Sequence, residues 1–218
     1  MKDSNGNLVQ GRTRWRRFAA VLLPAAVAAG GLMTGVAQGK VPVAINVSGA
    51  SFKISASHLH GDGFSQYGSV YTKPGETFPQ QGHAVAAAAI KSAKINDLCQ
   101  SVVQPLPWGG TVTLLIKAGA DPAHPVSAEN LLIGMDFLAG DATFNEIEIG
   151  TDASRLSKGG VPNSTGAPGG FGQEADSVDI DDLKQRAYTT HAGVFKLNGL
   201  TMQLVSGSQD CFPDSVIP

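Results

Sequence analysis

Hydrophobic residues follow two different patterns along this chain. Residues 18–37 form one long apolar run without a charged residue. Beyond residue 40 the apolar residues fall into short segments, and in residues 41–47 Val or Ile occupies every second position, which predicts a half-buried strand. Further strand segments are predicted near Phe52 and Ile54 and at residues 84–95, 111–117, 128–138, 142–149, 178–183 and 192–205. The pattern therefore indicates an all-β domain over residues 40–218.

Three segments need a separate interpretation. Residues 84–95 read AVAAAAIKSAKI, and although alanine favours helices, the short apolar period and the strand-rich surroundings lead us to predict a strand. Residues 58–82 are predicted to be a loop. Residues 156–172 read LSKGGVPNSTGAPGGFG and show no apolar period, so we expect a flexible loop there.

A four-residue pattern recurs in the predicted strands. It consists of an apolar residue, Asn or Asp, a small or acidic residue, and a second apolar residue, at residues 95–98, 144–147, 180–183 and 197–200. Together with Leu131, the last positions are spaced by nearly whole multiples of one unit. Such spacing is typical of β-solenoid-like stacking with one left-handed Asn or Asp at each corner. The alternative is a β-sandwich or meander with hairpin turns, although such turns would force Glu146 to a positive φ, which is uncommon for Glu.

The apolar run has a strongly basic segment in front of it. Arg12, Arg14, Arg16 and Arg17 precede residues 18–37, which is the pattern of an export signal. At about 1.5 Å per residue the run is also long enough to remain as a membrane anchor helix. Both alternatives place the following domain outside the cytoplasm. We therefore predict a basic segment with signal peptide or anchor at residues 1–39. The exported domain at residues 40–218 is expected to be extracellular or anchored to the outer face of the cytoplasmic membrane.

Charge and cysteine content add two expectations. The 218-residue chain has a net charge of −2 and 16% charged residues, and because no basic patch follows the apolar run, we expect no nucleic-acid partner. Its two cysteines, Cys99 and Cys211, both lie in the exported part. In an oxidising compartment they are expected to form one disulfide, which would stabilise the fold by about 4–5 kcal/mol in the chain-entropy estimate.

Two polar groups are candidate metal ligands. His58, His60 and Asp62 alternate with other residues, so in a strand both imidazoles would point to the same face and could share a metal ion. The alternative is a pair of solvent-facing histidines. A separate acidic cluster suits either a calcium ion or a charged strand edge, and it consists of Asp176, Asp179, Asp181 and Asp182.

Catalytic motifs give no assignment. The chain contains no Gly-x-Ser-x-Gly elbow, phosphate-binding loop, zinc-protease helix or dinucleotide fingerprint. Ser65 with His191 and an Asp is the one acyl-transfer triad that we considered, but a serine in a Gly-rich stretch is usually a turn residue. We therefore assign no catalytic residue and no cofactor.

Four stretches of the chain resemble a known family. They are residues 1–24, residues 94–103 (KINDLCQSVV), residues 140–150 (GDATFNEIEIG) and residues 171–200. The family is an uncharacterised group of exported actinobacterial proteins of streptomycete type, and the resemblance implies export across the membrane of a Gram-positive cell. Some members are labelled cholesterol esterase. This chain contains no hydrolase motif, so we do not transfer that activity to it.

These observations lead to one main functional hypothesis and one alternative. The main hypothesis is an exported cell-envelope or secreted protein that acts as a non-enzymatic binding or structural module. Its expected partner is another envelope or membrane protein or a second copy of the chain, and an uncleaved residue 18–37 segment would add a membrane contact. The alternative is a secreted lipid-ester hydrolase similar to cholesterol esterases.

Overall fold

The computed structural model describes residues 50–72, 82–105 and 110–218. The signal or anchor predicted at residues 18–37 and the strand predicted at residues 41–47 lie outside these residues. The described chain contains nine strands and two short 3₁₀ helices, and the all-β prediction is confirmed. The strands are β1 Phe52–Tyr71, β2 His83–Asn96, β3 Leu98–Pro105, β4 Thr111–Ala118, β5 Val126–Asn145, β6 Glu148–Asp152, β7 Phe171–His191, β8 Val194–Lys196 and β9 Thr201–Ser206.

Membrane-spanning helices are absent from this part of the chain: none of its helices is long and apolar enough to cross a bilayer.

The strands form one antiparallel sheet that closes on itself. β1 pairs with β2, β2 with β5, β5 with β7, and β7 again with β1. β3, β4 and β9 extend the sheet from the first part of β1, while β6 pairs with β7 and β8 with β5. The described strands are therefore neither stacked solenoid rungs nor the two sheets of a sandwich, which corrects these two predictions, whereas the single sheet fits the meander of the alternative. Strands of about 20 residues accumulate enough twist to bring the sheet edges together.

Four long bent segments make up this sheet. β3 continues β2 along the same edge of β1 and in the same register, so only Asp97 interrupts residues 83–105. In the same way β4 leads into β5, and β7 is followed by β8 and β9, which pair with β5 and β4. The chain is thus a meander whose first and last segments meet.

Single residues with positive φ introduce the bends. One such residue lies directly before the last apolar residue of each four-residue pattern and before Leu131: Asp97, Asn130, Glu146, Asp182 and Gly199, with φ between 50° and 65°. One left-handed residue thus lies at each corner, but Glu146 and Gly199 occupy two of the positions where Asn or Asp was expected. The argument that Glu146 avoids positive φ is wrong, since its φ is 51°, and the pairing with β7 continues across this residue without a shift in register.

Apolar side chains fill the interior of the closed sheet. Phe52, Val126, Leu131 and Val178 are among the largest fully buried residues. The alanines at positions 87–89 are buried although they point alternately to both faces of β2. Their outer side lies under a second small cluster of Tyr67, Ala87, Ala153 and Leu156. Small residues are therefore required in this strand because both of its faces are covered, and this explains the helix-like composition.

Residues 153–170, which we call the cover segment, provide that outer layer. Its backbone is fixed by the buried carboxylate of Glu174, which accepts the N–H groups of Ser157 and Lys158 at 2.7 and 2.9 Å. The ammonium group of Lys158 also lies 3.1 Å from carboxylates of Glu148 and Asp176. The predicted loop at residues 156–172 thus lacks regular strands up to β7, as its composition indicates, but it is packed on the sheet rather than extended into solvent.

The C-terminal residues form a second outer layer. A disulfide joins Cys99 to Cys211, as predicted, and fastens the residues after β9 to β3. The ammonium group of the nearly buried Lys53 donates to the carbonyl of Phe212 at 3.0 Å and pairs with Asp210 at 3.0 Å and Asp214 at 2.7 Å. We call this contact the tail clamp.

Two predicted boundaries differ from the structure. Residues 58–71, expected in a loop, continue β1, because their outward positions are polar and mask the strand pattern. Residues 128–138 and 142–149, expected as two strands, belong mainly to the single strand β5. Near Gly140 this strand is not interrupted, although its register with β7 shifts there. A bulge preserves pairing where a glycine and an aspartate suggest a turn.

Substitution of Glu146 tests the bend residues. Glu146→Gly is expected to raise the free energy of unfolding by up to about 1 kcal/mol, because glycine adopts positive φ without steric cost, and the contact that Lys158 makes to this residue uses its backbone carbonyl. The matched control Ala142→Gly, at an exposed position of β5, should lower it by roughly 0.5–1 kcal/mol. Guanidinium unfolding measures both values, and a less stable Glu146→Gly variant would contradict the assignment.

Substitution of Lys53 tests the tail clamp. Burial alone would lower the pKa of Lys53, but hydrogen bonds to Asp214 and Asp210 outweigh it and the pKa is raised. The stabilisation is therefore complete below the unfolded pKa of about 10.4 and is lost as pH rises through the folded pKa. Lys53→Met should lower the free energy of unfolding by about 1–3 kcal/mol near neutral pH. Unfolding curves between neutral and alkaline pH should show the two proteins converging, and a constant difference would refute the charge-based account.

Candidate functional site: a histidine–aspartate ladder

The middle of β1 presents polar side chains on its outer face. His58, His60 and Asp62 point outward, while Leu59 and Gly61 between them are buried in the interior. A side chain at Gly61 would meet Ile90 at 2.8 Å, so glycine permits the close packing of β1 on its neighbours here. The prediction that both histidines share one face of a strand thus holds.

The pairing of β1 with β7 brings the acidic cluster to the histidines. His58 lies opposite Asp181, and His60 lies opposite Asp179. The two groups are more than 100 residues apart in the sequence, and nothing in the local pattern indicates that they meet. We call His58, His60, Asp62, Asp179 and Asp181 the histidine–aspartate ladder.

Short hydrogen bonds connect the ladder side chains. The Nδ1 atom of His58 lies 2.7 Å from Oδ1 of Asp181, and Nδ1 of His60 lies 2.7 Å from Oδ1 of Asp179. The Nε2 atoms are also near carboxylates, at 3.8 Å from Asp179 for His58 and 3.4 Å from Asp62 for His60. Both imidazoles are therefore oriented by a carboxylate at Nδ1, and their Nε2 edges face further carboxylates.

The ladder carries negative charge that protonation can reduce. Its three carboxylates and two neutral imidazoles have a formal charge of −3, which becomes −1 when both imidazoles are protonated. The hydrogen bond to Asp179 raises the pKa of His60, burial opposes the rise, and the charge of Asp62 adds to it. Lys94 on β2 is the cation that lies beside His60 in the register.

The structure does not group these residues as metal ligands. Within the described residues, no set of three or more His, Cys, Asp or Glu side chains is arranged to hold a metal ion. In the ladder the imidazole Nδ1 atoms bind carboxylates instead. Of the other acidic residues, Asp176 pairs with Lys158 and Asp182 forms a bend. The metal assignment of His58, His60 and Asp62 stays a prediction.

The triad considered for acyl transfer is not assembled. Ser65 is only 2% exposed, and its hydroxyl lies tightly beneath Gly159 of the cover segment. It is opposite Glu174 near the start of β7, whereas His191 is the last residue of that strand. The two side chains therefore lie far apart along β7, and Ser65 is closed to a substrate.

The interior contains one small polar spot that the sequence analysis missed. A cavity of about 30 Å³ is lined by Gln100, Gln185 and Thr190 among apolar side chains, and the buried hydroxyl of Thr190 has no hydrogen-bond partner. Such a volume suits about one water molecule. The sequence does contain a sign of this polar spot. Gln100 alternates with the apolar residues Leu98 and Val102, and this spacing predicts that Gln100 points inward.

Titration of His60 tests the electrostatics of the ladder. In Asp179→Asn the pKa of His60 should fall towards its ordinary value of about 6.5, whereas Asp141→Asn, opposite Asp181 on β5, should leave it nearly unchanged. Protonated His60 stabilises the fold fully below its unfolded pKa, and this contribution is lost as pH rises through the raised folded pKa. NMR titration of the imidazole signals measures the pKa, and an equal effect of both variants would contradict the assigned contact.

Comparison with known proteins identifies the family of this chain but gives no relative of known function. No curated protein and no solved structure shows significant similarity to it. A family model matches residues 48–212, which is most of the chain and contains all five ladder residues and both cysteines. The chain therefore belongs to DUF6230, a family of unknown function.

Proposed function

We propose that this protein is an exported module of the cell envelope that binds another envelope protein through the outer face of its sheet. The filled interior is the observation that carries this proposal. Ligand pockets usually enclose about 300–1,000 Å³, whereas the cavity within the closed sheet has about 30 Å³. Recognition is therefore expected to use the surface, on which the ladder is one concentration of ionisable groups.

The two outer layers leave the ladder open. At one end of β1 the tail clamp covers Lys53, and at the other end the cover segment lies over Ser65 and Tyr67. The stretch between them, from His58 to Asp62, stays accessible. An uncovered window between two covered ends is the geometry that a binding surface on this face requires.

The chemistry of the window favours a cationic partner. The neighbouring outward positions carry Asn96, Lys94 and Ser92 on β2 and Asp141, Thr143 and Asn145 on β5. Lys94 is the single cation among them, so the formal charge of the window stays negative. These side chains surround the anionic ladder with hydrogen-bonding groups. A protein segment that bears Lys or Arg side chains would complement both features.

Export is supported by two independent features. The disulfide between Cys99 and Cys211 is a kind of bond that persists in oxidising compartments. The basic segment before the apolar residues 18–37 has the composition of an export signal. The resemblance to exported actinobacterial proteins is what points to an actinobacterial envelope.

The alternative, a secreted lipid-ester hydrolase, gains no support from the geometry. Its nucleophile would be Ser65, which is buried beneath Gly159. The interior cavity is also far too small for a sterol ester. The test is a covalent reaction of the purified protein with a fluorophosphonate probe. A reaction that Ser65→Ala abolishes would support the hydrolase alternative.

Binding to isolated envelopes tests the proposal. The protein purified in its exported, oxidised form should co-sediment with envelopes from its own cells. Asp179→Asn with Asp181→Asn should weaken this binding about tenfold, because it removes two charges from the ladder. The control pair Asp121→Asn with Glu146→Gln changes the net charge equally at exposed positions outside the ladder, and it should alter binding less than about twofold.

Three results would contradict the proposal. They are absence of wild-type co-sedimentation, equal losses in both double variants, and recovery of the native protein only from the cytoplasm in reduced form. Intact mass of the protein from medium and membrane decides the last point, because it reads both the starting residue and the disulfide.

A further inference from the structure

The end strands of the sheet differ in their protection against pairing. Within the described residues the strand order ends at β6 on one side and β9 on the other, and the three-residue β8 lies off this path and pairs with β5. β6 has five residues, begins with Glu148, ends with Asp152 and contains a register shift at Gly150. Charges, short length and bulges are the features that keep an edge strand from pairing with another chain. β6 is therefore a protected edge.

β9 is only one residue longer than β6, but it lacks the charges and the bulge. Its sequence TMQLVS carries no charge and no proline, and its six residues pair with β4 without any register shift. Its free edge is consequently a regular, uncharged strand edge, which is a template for another strand.

The side chains of β9 extend the apolar inner face beyond the core. Met202 lies opposite the buried Ile116, and Leu204 lies opposite Leu114, which packs against the core. Leu204 is nevertheless 74% exposed and Met202 56% exposed. The apolar surface thus runs to the edge of the sheet and ends there uncovered.

The strand is complementary to itself in the antiparallel direction. With a two-fold axis at Gln203, Met202 of one copy would lie opposite Leu204 of the other, and Thr201 opposite Val205. All four exposed apolar side chains at positions 202 and 204 would then share one face, because directly opposite residues point to the same side. We propose that β9 pairs with β9 of a second copy about this axis, which joins the two sheets into one.

A second copy fits this edge better than a charged partner does. An isologous two-fold contact requires a surface that matches itself, and β9 satisfies that condition while it offers no charge for an ionic partner. A contact of one strand pair is smaller than the roughly 1,200 Å² of a standard interface, so we expect a dimer that dissociates on dilution. This proposal does not depend on the ladder, which lies on β1 and β7.

Cysteine cross-linking tests both the contact and its register. In the full exported protein Gln203→Cys should form a covalent dimer under mild oxidation, because opposite Cα atoms in an antiparallel pair are about 4.5–5.5 Å apart, within disulfide reach. Val205→Cys is the matched control. The two introduced cysteines would be four positions out of register, about 13 Å apart, and should cross-link at least several-fold less.

Sedimentation provides an independent measurement without an added cysteine. The wild-type protein should shift from monomer to dimer with concentration over the range of about 5 to 500 µM. Leu204→Lys should abolish the shift, whereas Ile149→Lys, at a similarly exposed apolar position (66%) on the protected edge, should preserve it.

Two outcomes would overturn the proposal. The first is a monomer at all concentrations together with no preference for cross-linking at position 203. The second is slow hydrogen exchange of the β9 amides in the dilute monomer, which would mean that another part of the same chain occupies this edge.

Discussion

The pairing of β1 with β7 is the interaction on which the rest of this structure depends. It runs without a shift from Phe52 opposite Ala187 to Tyr67 opposite Gly172, and it joins the first and last long segments of the meander. Without it the inner faces of β2 and β5 would lie open to water. Closure therefore creates the apolar interior, and the same register places His58 and His60 beside Asp181 and Asp179. Stability and the candidate site have one common origin.

The bends make such closure possible with strands of this length. At one row of the sheet Ser57 lies between Asp97 on one neighbour and Asp182 on the other, and its hydroxyl donates to Asp97 at 2.9 Å. Both aspartates have positive φ. Because adjacent strands bend in the same row, their pairing continues across the bend while inward and outward positions exchange. Leu98 and Leu183 directly follow the bends and are buried in the core. They therefore fix which positions point inward after each bend.

The sequence allows prediction of elements that depend on local pattern. Strand type follows from the local hydrophobic pattern, and the disulfide follows from the presence of two cysteines in the exported part. The recurring four-residue pattern also locates the corners, although Glu146 and Gly199 stand where Asn or Asp was expected. Closure of the sheet could not be predicted, because it depends on a register between segments more than 100 residues apart. A two-residue periodicity shows which residues share a face of a strand, but it does not show which strands pair. The bends also interrupt that periodicity at Ser57 and Asp182, so His58 and Asp181 were assigned to a loop and to an isolated acidic cluster. The ladder was therefore visible only as two unconnected halves.

The outer layers explain why one surface of the closed sheet is left for binding. A sheet whose interior is filled can offer only its outer face and its edges. The cover segment needs Gly159 against Ser65 and small alanines in β2, and the tail needs Lys53 and Cys99 beneath it. Apolar or buried residues on the outer face are thus accounted for by these layers. His58, His60 and Asp62 lie beneath neither layer, so their polarity has no role in packing, and this is the physical reason to seek the function of the chain there.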